Sequence, residues 1–76
     1  MTEQRMEGLA EIVLRERPYG LKTFAVVHVQ NKAGVWAILF TGKAKIWIEV
    51  SIDLHTENDS DKILAAIRDQ LDAAIR

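Results

Sequence analysis

Cysteine is missing from this chain of 76 residues, which excludes disulfide bonds and thiolate metal sites. Two histidines, His28 and His55, are a sparse set of nitrogen donors, so a zinc centre is not expected. Proline occurs once, at Pro18. The four glycines, Gly8, Gly20, Gly34 and Gly42, are scattered, so no phosphate-cradling glycine loop exists. No apolar run approaches the ~20 residues that span a bilayer. Ten basic side chains nearly balance eleven acidic ones, for a net charge of −1. That balance gives no general attraction to phosphate backbones or anionic membranes. The first residues, Met1 to Glu7, lack the basic-then-apolar order of a secretory signal. A cytoplasmic location is the expectation.

What remains is ordinary globular composition, 49% hydrophobic and 28% charged. The length fits one domain over residues 1–76. A chain this short hides only roughly 60–65% of the surface its unfolded form exposes. Small domains usually gain stability from a disulfide, a metal or a partner subunit. With the first two excluded or improbable on composition, a second protomer is the expected support. No cofactor is expected.

The order of elements follows from periodicity. Met6, Leu9, Ala10 and Val13 recur at helical spacing, widened by Ile12 and Leu14, with Glu3, Glu7, Glu11 and Arg15 opposite. Thr2 suits the N-cap, and Pro18-Tyr19-Gly20 ends the helix in a turn. Leu21 to Gln30 reads as a strand, followed by the turn Asn31-Lys32-Ala33-Gly34 and a second strand, Val35 to Thr41. Gly42-Lys43 has glycine first, as a type II′ hairpin loop requires. From Ala44 to Leu54 the chain alternates strictly, with Ile46, Ile48, Val50 and Ile52 on one side and Lys45, Trp47, Glu49 and Ser51 on the other. His55 to Asp59 is a polar connection. Ser60 or Asn58 caps a last helix, whose apolar face is Ile63, Leu64, Ile67, Leu71, Ala74 and Ile75. Its other face carries i,i+4 pairs, Arg68–Asp72 and Asp72–Arg76. The fold class is α+β, in the order α-β-β-β-α, a three-stranded antiparallel meander with both helices on one face.

Register decides which side chains share a face. A two-residue Gly42-Lys43 loop sets Leu39 beside Ile46, Ile38 beside Trp47 and Trp36 beside Glu49. A three-residue Lys32-Ala33-Gly34 loop, with glycine in the left-handed position, opposes Asn31 to Val35. An even-numbered loop would instead bury His28 and Gln30 without partners, at a cost. The three-residue option collects Ala25, Val27, Val29, Val35, Ala37, Leu39, Ile46, Ile48, Val50 and Ile52 under the helices. The free face then carries Phe24, Val26, His28, Gln30, Trp36, Ile38, Phe40, Lys45, Trp47, Glu49 and Ser51. Each covered aromatic ring removes ~150–250 Å² from water, and a patch of this kind normally marks an interface.

These placements lead to a non-catalytic binding or regulatory module that dimerises through Phe24, His28, Trp36, Ile38, Phe40, Trp47 and Glu49, by sheet stacking or by edge pairing. A heterologous protein is the other partner expected on that face. Two alternatives use the same residues. Rings on an open sheet can stack nucleic-acid bases, with Lys22, Lys32, Lys43 and Lys45 on phosphates. The α-β-β-β-α order is similar to that of double-stranded-RNA-binding domains. Those domains begin the second helix with lysines, whereas Asn58-Asp59-Ser60-Asp61-Lys62 is mostly acidic. The other alternative is a small-molecule site between subunits, with His28 as general base beside Trp36, Trp47 and Glu49.

Overall fold

A computed structural model describes residues 1–16 and 19–75. Helix α1 (Glu3–Leu14) starts where the Thr2 hydroxyl oxygen accepts the Arg5 amide at 3.2 Å. Its buried side chains are the expected stripe: Met6, Leu9, Ala10 and Val13. The helix stops at Leu14, and the Glu16 amide turns back onto the Val13 carbonyl at 3.0 Å. Pro18, expected to end the helix, lies outside the described residues, as does Arg17. Helix α2 (Ser60–Ile75) is capped by Asp59, whose side chain accepts the Lys62 amide at 3.2 Å. Neither Ser60 nor Asn58 takes that role, because Asp59 is the residue placed to reach the first free amide. Ile63, Ile67 and Leu71 form its buried stripe, whereas Ala74 and Ile75 stay exposed.

Between the helices, β1 (Thr23–His28), β2 (Val35–Thr41) and β3 (Lys45–Ser51) form an open antiparallel meander with β2 central. In the first hairpin Gly34 has φ +73°, the left-handed conformation expected of it. An added Cβ there would also run into the Ile52 carbonyl. The pairing nevertheless differs from the expectation by two residues. His28 opposes Trp36, and the Val29 amide donates to the Val35 carbonyl at 3.0 Å, leaving a five-residue loop. A two-residue slip keeps every side chain on its own face. Phe24, Val26 and His28 therefore share a side with Trp36, Ile38 and Phe40, as expected.

The second hairpin differs by one residue, and this reverses β3. Thr41 opposes Lys45, not Ala44, so the loop is Gly42-Lys43-Ala44. Gly42 lacks the positive φ that a type II′ turn demands. Its requirement for glycine is one of space: an added Cβ would sit 2.8 Å from the Gly20 carbonyl oxygen and 3.3 Å from the Leu21 Cα. Ile46, Ile48 and Val50 consequently line up with Phe40, Ile38 and Trp36. Lys45, Trp47 and Glu49 line up with Thr41, Leu39 and Ala37.

Both helices cover the first of these faces. One cluster joins Met6, Leu9, Ala10 and Val13 of α1 and Ile63, Ile67 and Leu71 of α2 to Trp36, Ile38, Phe40, Ile48 and Val50. The free-face assignment of Trp36, Ile38, Phe40 and Phe24 is thus corrected. Ile38 and Phe40 are fully buried, Trp36 is 5% exposed, and Phe24 is half-buried against Phe40 with ring centroids 6.4 Å apart. Covering one large apolar side chain stabilises by about 1.5–3 kcal/mol. Hiding Trp36, Ile38 and Phe40 accordingly outweighs hiding Val35, Ala37 and Leu39. The objection to burying His28 does not arise, because it stands at the sheet's end, exposed, with its ring stacked on Trp36 at 4.6 Å.

Arg68 ties α2 to the segment that follows α1. Its Nε donates to both Glu16 carboxylate oxygens at 3.0 and 3.1 Å, and Nη2 donates to Oε2 at 2.7 Å. The expected Arg68–Asp72 pair is replaced by this fork. Asp72 instead accepts the Tyr19 hydroxyl at 3.1 Å, and Arg76 lies outside the described residues. The guanidinium hydrogen bonds hold the Glu16 carboxyl below its ordinary 4.5.

Two outcomes check this architecture. Ile38→Ala should lower unfolding free energy by roughly 2–5 kcal/mol, because it empties a fully buried site. Denaturant titration would measure it, and a loss under about 0.5 kcal/mol would place Ile38 on the surface. For the ion pair, a depressed carboxyl supplies stability that is complete above the unfolded-state pKa and is lost as pH falls through the folded-state value. Glu16→Gln should therefore cost about 0.5–1 kcal/mol at neutral pH, and should flatten the decline in stability below about pH 4.5.

Candidate functional site

The sheet side turned away from the helices is laid out in rows by the pairing. Thr23, Thr41 and Lys45 form one row, Ala25, Leu39 and Trp47 the next, and Val27, Ala37 and Glu49 the third. Its middle row is apolar, and the rows on either side carry Thr23, Thr41, Lys45 and Glu49. Trp47 is 55% exposed and Val27 50% exposed, with Leu39 half-buried between the flanking strands. Ala37 is fully buried here although no helix lies above it, because larger neighbours close over a methyl group. Glu49 is the polar hinge of the surface. Its carboxylate takes a long contact from the Trp47 indole N–H at 3.4 Å and stands 3.8 Å from the Lys32 ammonium. Both contacts are weak and solvent-exposed, so they leave the side chain free to find a better partner.

Of the seven residues expected at an interface, Trp47 and Glu49 lie on this open face. Trp36, Ile38, Phe40 and Phe24 lie on the helix side, as does His28 at the sheet's end. Sequence reasoning placed Ala25, Val27 and Leu39 on the covered side, and they belong to the open one. The row of rings required for base stacking is not assembled: Trp47 is the one ring on the open face among the described residues. The combination of His28 with Trp47 and Glu49 is likewise divided between the two faces of the sheet.

A second concavity lies where the sheet ends. An open groove of about 440 Å³ runs past His28, Trp36, Ile52, Asp53, Leu54 and Glu57. Its carboxylates are already engaged. Asp53 accepts the Thr56 amide and the His55 amide at 2.9 Å and the Thr56 hydroxyl at 3.1 Å. The Thr56 bonds chiefly hold its carboxyl below the ordinary range. Glu57 is paired with the Met1 ammonium, which lowers its carboxyl as well. These bonds fall on one oxygen of each carboxylate, Oδ1 of Asp53 and Oε1 of Glu57. No group of three or more His, Cys, Asp or Glu side chains suited to a metal ion occurs among the described residues. No helix among them is long and apolar enough to cross a membrane.

Comparison with protein-family models, with curated proteins and with solved structures finds no match to this chain.

The contrast between the two tryptophans is measurable. Trp47→Phe should leave a blue-shifted emission that resists acrylamide, because Trp36 is 5% exposed. Trp36→Phe should leave a red-shifted emission that is readily quenched in dilute solution. Equal quenching of both variants would contradict the assigned faces.

Proposed function

We propose that the chain is a small homodimeric binding or regulatory module, without a catalytic role, that associates through the open side of its sheet around Trp47. The contact residues on this reading are Ala25, Val27, Leu39 and Trp47, with Lys45 and Glu49 at the margin. The observation that carries it is a tryptophan more than half exposed on β3, with a half-exposed valine on β1, on a face that neither helix covers. A monomer at ease in water has no need of an indole there, and tryptophan is among the residues most enriched at binding hot spots. The limited core of a 76-residue chain without cysteine supports the same conclusion. A cytoplasmic setting fits a fold that depends on no oxidising compartment.

The groove past His28 and Trp36 favours a secondary reading, a small-molecule site, since its volume falls within the roughly 300–1,000 Å³ of ligand pockets. It ranks lower because one oxygen of each of its carboxylates is already engaged within the chain.

Sedimentation equilibrium tests the main reading. At high micromolar concentration the mass should exceed the 8.6 kDa of one chain and approach twice that value. Trp47→Lys should return it to 8.6 kDa with an unchanged circular-dichroism spectrum, because the side chain lies outside the core. A wild-type chain that stays at one-chain mass up to millimolar concentration would refute it.

A further inference from the structure

The meander leaves β3 at an edge of the sheet, with one side of its backbone unpaired. Which residues present that side follows from the bonds on the other. The Ile52 amide donates to the Gly34 carbonyl at 2.6 Å, and the Gly42 amide donates to the Ala44 carbonyl at 3.1 Å. These fix the phase: even-numbered residues of β3 bond to β2. Lys45, Trp47, Glu49 and Ser51 direct their N–H and C=O groups outward, and the same four residues carry the side chains of β3 on the open face.

Natural edges are usually blunted by charge, and a lysine or glutamate there repels an indiscriminate strand. Here the two charges have opposite sign and stand two residues either side of Trp47. An antiparallel copy centred on Trp47 would place Lys45 opposite the partner's Glu49, and Glu49 opposite the partner's Lys45. Centring on Lys45 or on Glu49 would oppose like charges, which destabilises a cross-strand pair. The registers between these set a charge against Trp47.

Sheet stacking has this complementarity in one orientation and not in the other. A two-fold axis along β2 would lay Trp47 over the partner's Ala25, but would press Glu49 onto the partner's Val27 with no counter-charge. An axis across the strands through the Trp47 row would set ring against ring and Ala25 against Ala25, and would also lay Lys45 over the partner's Glu49, so area and backbone bonding, not charge, separate it from edge pairing. The sheet face itself measures roughly 14 Å by 23 Å, about 320 Å². That is well short of the ~800 Å² per partner of a standard interface. Backbone hydrogen bonding at an edge draws on another source of affinity.

We infer that a second copy of this chain attaches along the outer edge of β3, antiparallel and centred on Trp47, joining two three-stranded sheets into one of six strands. This deepens the dimer reading and rests on it. The two Trp47 side chains meet at the symmetry axis, flanked on each side by a lysine–glutamate pair. Both helical layers fall on one side of the joined sheet. The other side becomes one continuous face of roughly 650 Å², its apolar residues Ala25, Val27, Leu39 and Trp47 interrupted by the lysine–glutamate pairs.

Charge exchange tests the Lys45–Glu49 pairing, and slowed amide exchange at Lys45, Trp47 and Glu49 on self-association tests the edge itself; unslowed exchange there in a dimer would overturn it. Lys45→Glu and Glu49→Lys each create two like-charge pairs at the edge, and each should weaken self-association about tenfold or more. Both side chains are exposed, so circular dichroism should remain unchanged. The double variant K45E/E49K restores opposite charges and should recover the wild-type dissociation constant. Mixed in equal amounts, the two single variants should form a heterodimer in preference to either homodimer. If the wild type dimerises but the single variants do so equally well, the edge register is overturned and self-association stands. If the wild type stays monomeric at millimolar concentration, both fail.

Discussion

The pairing of β2 with β3 is the constraint on which the rest of the molecule depends. Because side chains alternate along a strand, one step of slip exchanges the two faces of β3 wholesale. The observed step places Ile46, Ile48 and Val50 beside Phe40, Ile38 and Trp36, and gives both helices a single continuous apolar layer to cover. The same step sends Lys45, Trp47 and Glu49 to the other side together. The core and the open surface are therefore two results of one register. The close approach of Gly20 and Leu21 to Gly42 helps to hold it, since no Cβ would fit between those segments.

Much of the fold is legible in the residue spacing. The α-β-β-β-α order, the Thr2 cap and the buried stripes of both helices follow from it directly, because helical periodicity and capping chemistry are local. The orientation of β3 is not legible in the same way, because it is decided by a non-local competition. Gly42 satisfies the composition rule for a tight hairpin, but its actual role is to admit another backbone segment, which no local pattern discloses. A signal is present in β2 itself: Trp36, Ile38 and Phe40 bury far more apolar surface than Val35, Ala37 and Leu39, so the helices take the former. Weighed against the turn rule, that difference turns β3 over. The cost of burying His28 points the wrong way, because the paired strands end at that residue and leave it in solvent.

The candidate surface is accordingly half legible. Trp47 and Glu49 are outward in either register relative to the alternation of β3, so the exposed indole survives the correction. Its neighbours change from an aromatic row to Ala25, Val27 and Leu39. A mainly aliphatic face with one ring lacks the row of rings on which bases stack. The opposite charges on either side of Trp47 gain meaning only once β3 is known to be an edge strand. From the sequence they read as the ordinary polar half of an alternating strand.

The most direct test of the β2–β3 register is a nuclear Overhauser measurement between backbone α-protons. Leu39 and Trp47 form a non-hydrogen-bonded pair, in which the Cα atoms lie about 4.5 Å apart and the α-protons face each other. A strong Leu39–Trp47 cross-peak is expected, with a matching one between Ala37 and Glu49. Cross-strand α-proton contacts in the shifted frame, with Leu39 opposite Ile46 and Ala37 opposite Ile48, would contradict the pairing and everything built upon it.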